Sequence, residues 1–377
     1  MFDRIRRVIR RGPVAVGATT LAVLLAGCAK QAPDKQQNAL RPDGPAAHKI
    51  LQLTTPFFWL AVVIGIGVVG ATIVLAIKFR ERPGEERNPK QIHGHSALEI
   101  SWTIIPALIL AVMGVFTVST IFDLSKEPKG ANVVHINVTG KQWWWEYDYT
   151  DASGTKLQFT TANEMHIPVN TPVFLRITAA DVIHSFWVPN LAGKKDAVPG
   201  RTDYLTIQGS KIGEFAGTCA EYCGLSHANM HLKVFVQTRA DYDAWVATQK
   251  TTPPKLASYV KDQTGPVAGY ACTSCHAFAG SGAGSAATRG PNLSHLGDRT
   301  TFAGGTYDLT LDNLTKWIYD APSRKPMEQG PDPKNPRVGM PNFSKLGMTE
   351  SQARDIATSL LCDTASNPSK FTGLTCP

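Results

Sequence analysis

Cys219-Ala-Glu-Tyr-Cys223-Gly-Leu-Ser-His227-Ala-Asn-Met230 places two thiols, an imidazole and a thioether within one loop's length, and His184 lies upstream in Val182-Ile-His184-Ser-Phe-Trp187. Soft thiolate and thioether ligands combined with imidazole select copper over calcium or magnesium. A mononuclear blue-copper site needs two His, one Cys and a weak axial Met. This loop offers all of that and a second Cys. Two thiolates can bridge two copper ions, each of which takes either His184 or His227. Met230 then serves as a weak axial ligand on one copper, and a backbone carbonyl such as that of Glu221 on the other. The product is a binuclear electron-transfer centre, whose shared thiolates spread one electron over both metals. A Cys219–Cys223 disulfide is the plain alternative, but it leaves His and Met at ligand spacing without a reason. Zinc sites prefer Cys and His throughout, and Met suits them poorly.

Working outward, residues 131–237 carry short runs of strand character: 133–138, 157–159, 173–177, 204–207 and 232–236. Gly, Pro and Asn break them. Several short strands with ligands on a connecting loop predict a sandwich or barrel, an all-β cupredoxin-like domain assigned to residues 126–250. Residues 239–251 read as a short closing helix. Thr251-Thr-Pro-Pro254 and Gly265-Pro266 punctuate a linker over 251–264.

Cys272-Thr-Ser-Cys275-His276 is a c-type haem attachment sequence. The thiols add to the haem vinyl groups and His276 becomes the proximal ligand. The carbonyl of Pro291 can hold its other ring nitrogen. Met340, in Val338-Gly-Met340-Pro-Asn-Phe343, is the expected sixth ligand, because Met-Pro presents the sulfur on rigid backbone. Met ligation opposite His raises the potential. Met327, Met348 and His295 are competitors. Residues 265–377 are assigned to a small all-α haem domain of the class I type, with a Gly280–Ala287 loop and helices over Leu309–Tyr319 and Glu350–Leu361.

The N-terminus has the form of an export signal. Arg4, Arg6, Arg7, Arg10 and Arg11 precede an apolar run that ends in Leu25-Ala-Gly-Cys28. Residues 1–27 read as a lipoprotein signal peptide, with Cys28 acylated and 28–50 a flexible tether. Those 27 residues carry five Arg and one Asp, which is +4 of the chain's +8. The mature protein is therefore only mildly basic, and a nucleic-acid partner is not indicated. Phe57–Ile77 and Ile100–Phe122 lack charge and exceed the length that crosses a bilayer. Lys78, Arg80, Arg82, Arg87 and Lys90 between them place that loop in the cytoplasm. Residues 51–125 thus form a transmembrane hairpin, with Trp59 and Trp102 at interfacial depth and everything after about residue 125 exported. Of seven cysteines, Cys362 and Cys376 are left over, and an oxidising compartment allows them to pair.

Taken together, the copper loop, His184-Ser-Phe, the aromatic run Gln142-Trp-Trp-Trp-Glu-Tyr147, the hairpin and the haem motif resemble subunit II of a haem–copper cytochrome c oxidase. The branch is the one with a fused cytochrome c domain (caa-type), and the resemblance covers nearly all of the mature chain. It implies a binuclear copper (CuA) centre on His184, Cys219, Glu221 through its carbonyl, Cys223, His227 and Met230. It also implies a magnesium ion reached by the Glu221 side chain where subunit I packs. Trp143 matches the residue through which electrons enter. Trp144 stands where the family often has Tyr, which leaves the roles of the neighbouring rings open. Glu99, in His95-Ser-Ala-Leu-Glu99, matches an acid at the mouth of a proton pathway, and a solvated helix cap is the other reading of it. The implied function is electron relay from haem c to copper and on to the haem of subunit I, for dioxygen reduction coupled to proton pumping at a bacterial cell membrane. The implied partners are subunits I and III, membrane lipid, and cytochrome c or a quinol–cytochrome c reductase complex as donor. Nitrous oxide reductase shares such a copper loop, but ten scattered His do not furnish its His-rich catalytic domain. A copper chaperone has no use for covalent haem, and a free-standing carrier has no need of a hairpin bearing Glu99.

Overall fold

The computed structural model describes residues 37–80, 84, 91, 93–130, 132–155, 157–251, 272–278, 289–327 and 339–376. The expected signal peptide, Cys28, most of the basic loop, most of the linker and the Gly280–Ala287 loop lie outside them.

Two long apolar helices come first, α1 (Pro45–Lys78) and α2 (Ser96–Leu124). Both are long and apolar enough to cross a bilayer, and their apolar side chains face outward. A 34-residue helix spans about 51 Å, well beyond the ~30 Å of a hydrocarbon core. The excess lies at the N-terminal end. Pro at the first helical turn needs no hydrogen bond from its nitrogen, so α1 starts at Pro45, twelve residues before the uncharged run at Phe57. The preceding segment is not free either. Asp43 accepts from Ser210 N and Lys211 N, and Asn190 donates to the carbonyls of Asn38 and Arg41. The described part of the expected tether is therefore pinned to the β-domain. Gly44 allows this, because a Cβ there would lie 2.2 Å from the Gln208 carbonyl oxygen.

The β-domain is two five-stranded sheets. One contains β1 (Val134–Lys141), β2 (Trp144–Thr150), β3 (Leu157–Ala162), β5 (Val173–Ala179) and β8 (Asp203–Ile207), in the order β3-β2-β1-β5-β8. The other contains β4 (Glu164–Pro168), β6 (His184–Trp187), β7 (Lys195–Ala197), β9 (Gly213–Cys219) and β10 (His231–Gln237), in the order β4-β10-β9-β6-β7. Side chains alternate across the strands. In β10, Leu232, Val234 and Val236 are buried and the residues between them are not. Trp145, Tyr147, Phe159, Phe186, Ile136 and Leu175 fill the core. At 25 cal/mol per Å2, each such large side chain contributes roughly 1.5–3 kcal/mol on burial. Helix α3 (Arg239–Gln249), capped by Thr238, lays Trp245 against His166 and Tyr149.

The C-terminal part has its own core. Helix α4 (Leu311–Tyr319) packs against α6 (Glu350–Thr364), with the short α5 (Ala321–Arg324) and the pair β11 (Thr301–Phe302) and β12 (Tyr307–Asp308) alongside. Leu311, Leu314, Ile318, Ile356, Leu360 and Leu361 interdigitate there. Thr349 and Gln352 form a reciprocal capping box that starts α6. The expected helix at Leu309 starts two residues later because Thr310 caps it and Tyr307–Asp308 pair as strand. Cys362, near the end of α6, is disulfide-bonded to Cys376 in the tail, with Cα atoms 5.6 Å apart.

Candidate metal centres

Three strands converge on the copper loop. His184 opens β6, Cys219 ends β9, and Met230 directly precedes β10. Phe186 pairs with Cys219 across β6 and β9, and Cys219 N donates to the Met230 carbonyl at 2.9 Å. The intervening loop is folded by Gly224 at φ 107° and by a short 3-10 turn at His227–Asn229. The donor atoms therefore gather around the two thiols. Cys219 Sγ lies 3.8 Å from Cys223 Sγ, 3.9 Å from His184 Nδ1 and 3.3 Å from the Glu221 carbonyl oxygen. Cys223 Sγ lies 3.7 Å from His227 Nδ1 and 3.9 Å from Met230 Sδ. Metal–ligand bonds of about 2.0–2.3 Å at tetrahedral angles put neighbouring donors about 3.3–3.8 Å apart. The six donors thus fit two metal ions that share the thiols. The thiols are reduced and buried, as are His184 and Met230.

Without metal, the two sulfurs share one proton. A hydrogen bond from the Cys223 thiol, helped by His184, pulls Cys219 well down against the effect of burial. Cys223 is pushed up, because its proton is held by that neighbouring thiolate. Burial alone would lower His184, but the Asp181 carboxylate at 2.8 Å from Nε2 and the Cys219 sulfur raise it. Asp181 also accepts from Gln142 N, which fixes it on the frame. Sequence reasoning missed Asp181. The signal was its place three residues before His184, within reach of a ligand's far ring nitrogen.

Trp143 is buried above the loop, with Nε1 donating to the Cys223 carbonyl at 2.9 Å. Glu221 keeps its carboxylate exposed, 3.8 Å from Lys194 Nζ. Glu99 is exposed in the first turn of α2, where it accepts from His95 N.

At the second centre Cys272–Ser274 forms a 3-10 turn, and His276 N donates to the Cys272 carbonyl. Both thiols are half-buried. His276 Nδ1 lies 2.9 Å from the Pro291 carbonyl, which leaves Nε2 for a metal. Burial, with the Arg299 guanidinium adding to it, lowers the imidazole's pKa and keeps it neutral. Gly290 lies against the ring, and a Cβ there would come within 2.5 Å of Cε1. The residues fit a haem attached at two thiols with His276 beneath its iron. Met340 and its competitors fall in different surroundings. Met340 packs against the α4–α6 core. Met327 instead packs against the β-domain core. His295 Nε2 bonds the Thr251 carbonyl at 2.9 Å. Met348 is buried in the α4–α6 core.

The two halves meet directly. Glu164, buried on β4, accepts from Thr300 and from Thr301 N and Oγ1 at 2.7–3.1 Å. His231 N donates to the Gly304 carbonyl at 2.7 Å.

Comparison with known proteins agrees with this geometry. The profile described as cytochrome C oxidase subunit II, periplasmic domain, matches residues 134–237. That of the transmembrane domain matches 35–120, and cytochrome c matches 267–361. Cytochrome c oxidase subunit 2 of Alkalihalophilus pseudofirmus is 36% identical over 310 residues, covering 81% of this chain and 87% of that one. The chain belongs to the cytochrome c oxidase subunit 2 family. Cytochrome c oxidase subunit 2 of Bacillus subtilis is 31% identical, again over 81% of this chain and 87% of its own length. Quinol oxidase subunit 2 of Bacillus spizizenii is 32% identical over 65% of this chain and 74% of its own. The solved periplasmic domain of subunit II of cytochrome oxidase from Bradyrhizobium japonicum is 36% identical. It covers 32% of this chain and 94% of its own, with a TM-score of 0.29. As a subunit 2 with a fused cytochrome c segment, the chain is a membrane component of an oxidoreductase complex. Its periplasmic β-domain implies copper, and its C-terminal domain implies haem.

Proposed function

We propose that this chain is the electron-entry subunit of a proton-pumping terminal oxidase, receiving electrons on its own covalent haem. The observation that carries the reading is the set of six donors gathered at 3.3–3.9 Å on the two buried thiols of Cys219 and Cys223. When bound, haem c and the binuclear copper (CuA) supply one-electron relay toward the haem of subunit I, where dioxygen is reduced. The work of the chain is to hold and orient. Cys272 and Cys275 would attach the haem, and His276, steadied by Pro291, and Met340 would hold its iron. Cys219, Cys223, His184, His227, Met230 and the Glu221 carbonyl would hold the coppers. Trp143 bonds the copper loop through Nε1 and accepts from the haem half through its carbonyl, which suits it to the entry point.

The Glu221 carboxylate reaches a magnesium ion at the subunit I interface, and Glu99 opens a proton pathway into subunit I. Cys28 carries lipid. The partners are subunits I and III, with cytochrome c or a quinol–cytochrome c reductase as donor. The site is the bacterial inner membrane, with both metal domains on its outer face. The test is to load the full-length chain with haem and copper, then measure metal content and the electron paramagnetic resonance spectrum. Two coppers per haem, with hyperfine splitting over two equivalent nuclei, are expected. One copper with a mononuclear spectrum would overturn the reading.

A further inference from the structure

Lysine is almost never fully buried without a charged partner. Lys325, just after α5 in the haem half, is only 3% exposed. Its Nζ donates to two neutral acceptors, the Trp143 carbonyl at 2.8 Å and the Ala303 carbonyl at 2.9 Å. The next residue is engaged too: Ser226, between ligands Cys223 and His227, donates through Oγ to the Pro326 carbonyl. The third, Met327, packs against the β-domain core that contains Trp143, Cys219, Cys223 and Met230. Its Sδ accepts from Met340 N at 3.1 Å. Gly339 is held close to the same sulfur, where a Cβ would lie 2.5 Å away. Three consecutive residues therefore touch the entry tryptophan, the copper loop and the methionine assigned to the haem iron.

A generic domain contact does not require a lysine to be buried on two carbonyls, nor a thioether to accept from the backbone of a ligand. We propose that Lys325-Pro326-Met327 is the joint that registers the Met340 loop on the copper loop. Lys325 and Met327 are positioning residues for the electron step from haem to copper. The Glu164 clasp on Thr300 and Thr301 holds the domain at a second point, so the joint sets fine register rather than gross docking. Electron tunnelling falls steeply with distance, so a small loss of register shows as rate. This rests on the relay reading above.

The test uses the full-length chain carrying haem and copper. The haem is reduced by a light flash on a ruthenium complex, and the passage of its electron to copper is followed optically. In Lys325→Met and in Met327→Ala, that internal step is expected to slow severalfold. The rate of haem reduction by the flash, the haem potential and the copper resonance spectrum stay at wild-type values, which damage to the fold would not allow. Lys325→Gln, which keeps a donor, recovers part of the rate. Gly304→Ala is a second probe that leaves Lys325 in place, since its Cβ would meet Nζ at 2.5 Å and the Trp143 carbonyl at 2.6 Å. Unchanged internal rates in loaded Lys325→Met and Met327→Ala overturn the joint. A wild-type chain that takes up no copper pair overturns the relay reading instead.

Discussion

The two metal centres are built in opposite ways. At the copper centre His184 and Cys219 sit on strands of a ten-stranded frame, and the loop that carries Glu221, Cys223, His227 and Met230 is pinned between β9 and β10. The haem ligands come from loops: His276 from a 3-10 turn and Met340 from a segment whose backbone N–H is held by a sulfur. One His at each centre nonetheless has the same two supports, an acceptor for its far ring nitrogen and a glycine under its ring. For His184 these are the Asp181 carboxylate and Gly140. For His276 they are the Pro291 carbonyl and Gly290. The frame makes the copper site rigid and intolerant, whereas the loops leave the haem site room to give.

The most severe break follows from the glycines. A Cβ on Gly140 would meet the His184 ring at 2.8 Å, and Gly140 is paired on both sides, to Trp145 and to Ala179. Neither strand can retreat, so Gly140→Ala is expected to abolish stable copper binding and to cost about 1–3 kcal/mol of stability from overpacking. Gly290→Ala faces a closer approach but sits on a loop, so it is expected to retain covalent haem with altered axial ligation. Copper titration and the haem absorption spectrum decide between them. Equal damage at both sites would undo the contrast.

A second difference concerns cross-linking. The haem half is closed by Cys362–Cys376, over a separation of 14 residues. Opening that loop with Cys362→Ser and Cys376→Ser together is expected to cost about 3 kcal/mol. The loss should be seen in thermal unfolding followed at the haem, with the copper-domain transition unmoved. A shift of both transitions by the same amount would show the halves unfolding as one.

The orienting groups give a smaller effect. Asp181→Asn keeps shape but removes the charge that raises His184, and is expected to weaken copper binding by about 10–100-fold. Pro291 acts through its backbone, so no side-chain change removes its bond. Undiminished copper affinity in Asp181→Asn would mean that the frame alone orients His184.

How much of this is legible in the sequence follows the same division. The copper ligands stand in one loop plus His184, and soft donors at that spacing point to copper and to little else. The haem motif is contiguous. Strands with clean alternation, such as 232–236, are readable. Glu164–Pro168, Lys195–Ala197 and Gly213–Cys219 are not, because the first two are short and all three carry Gly, Pro or charge. Trp144–Thr150 reads as an aromatic cluster, although Trp145, Tyr147 and Tyr149 alternate into the core with Glu146 and Asp148 between them. The joint is illegible. Lys325 looks like any surface lysine, and only tertiary packing places its Nζ against Trp143, 182 residues away.

That buried lysine gives the subtlest prediction. Burial pushes Lys325 from 10.5 down to about 7, against a small upward pull from Cys223. Between those values the unfolded or undocked chain binds more protons than the docked one, so docking gains stability as pH rises. The cost of burying the ammonium is fully present below about pH 7 and is lifted by about 10.5. Its slope is at most about 1.4 kcal/mol per pH unit. Hydrogen exchange at His231 N, which is bonded to Gly304 across the joint, reports it once corrected for the intrinsic rate. Protection in the wild type should rise from pH 7 to 9, and Lys325→Met should flatten that rise. An equal rise in the variant would mean that other groups carry the pH dependence and that the lysine is neutral, or charged, throughout.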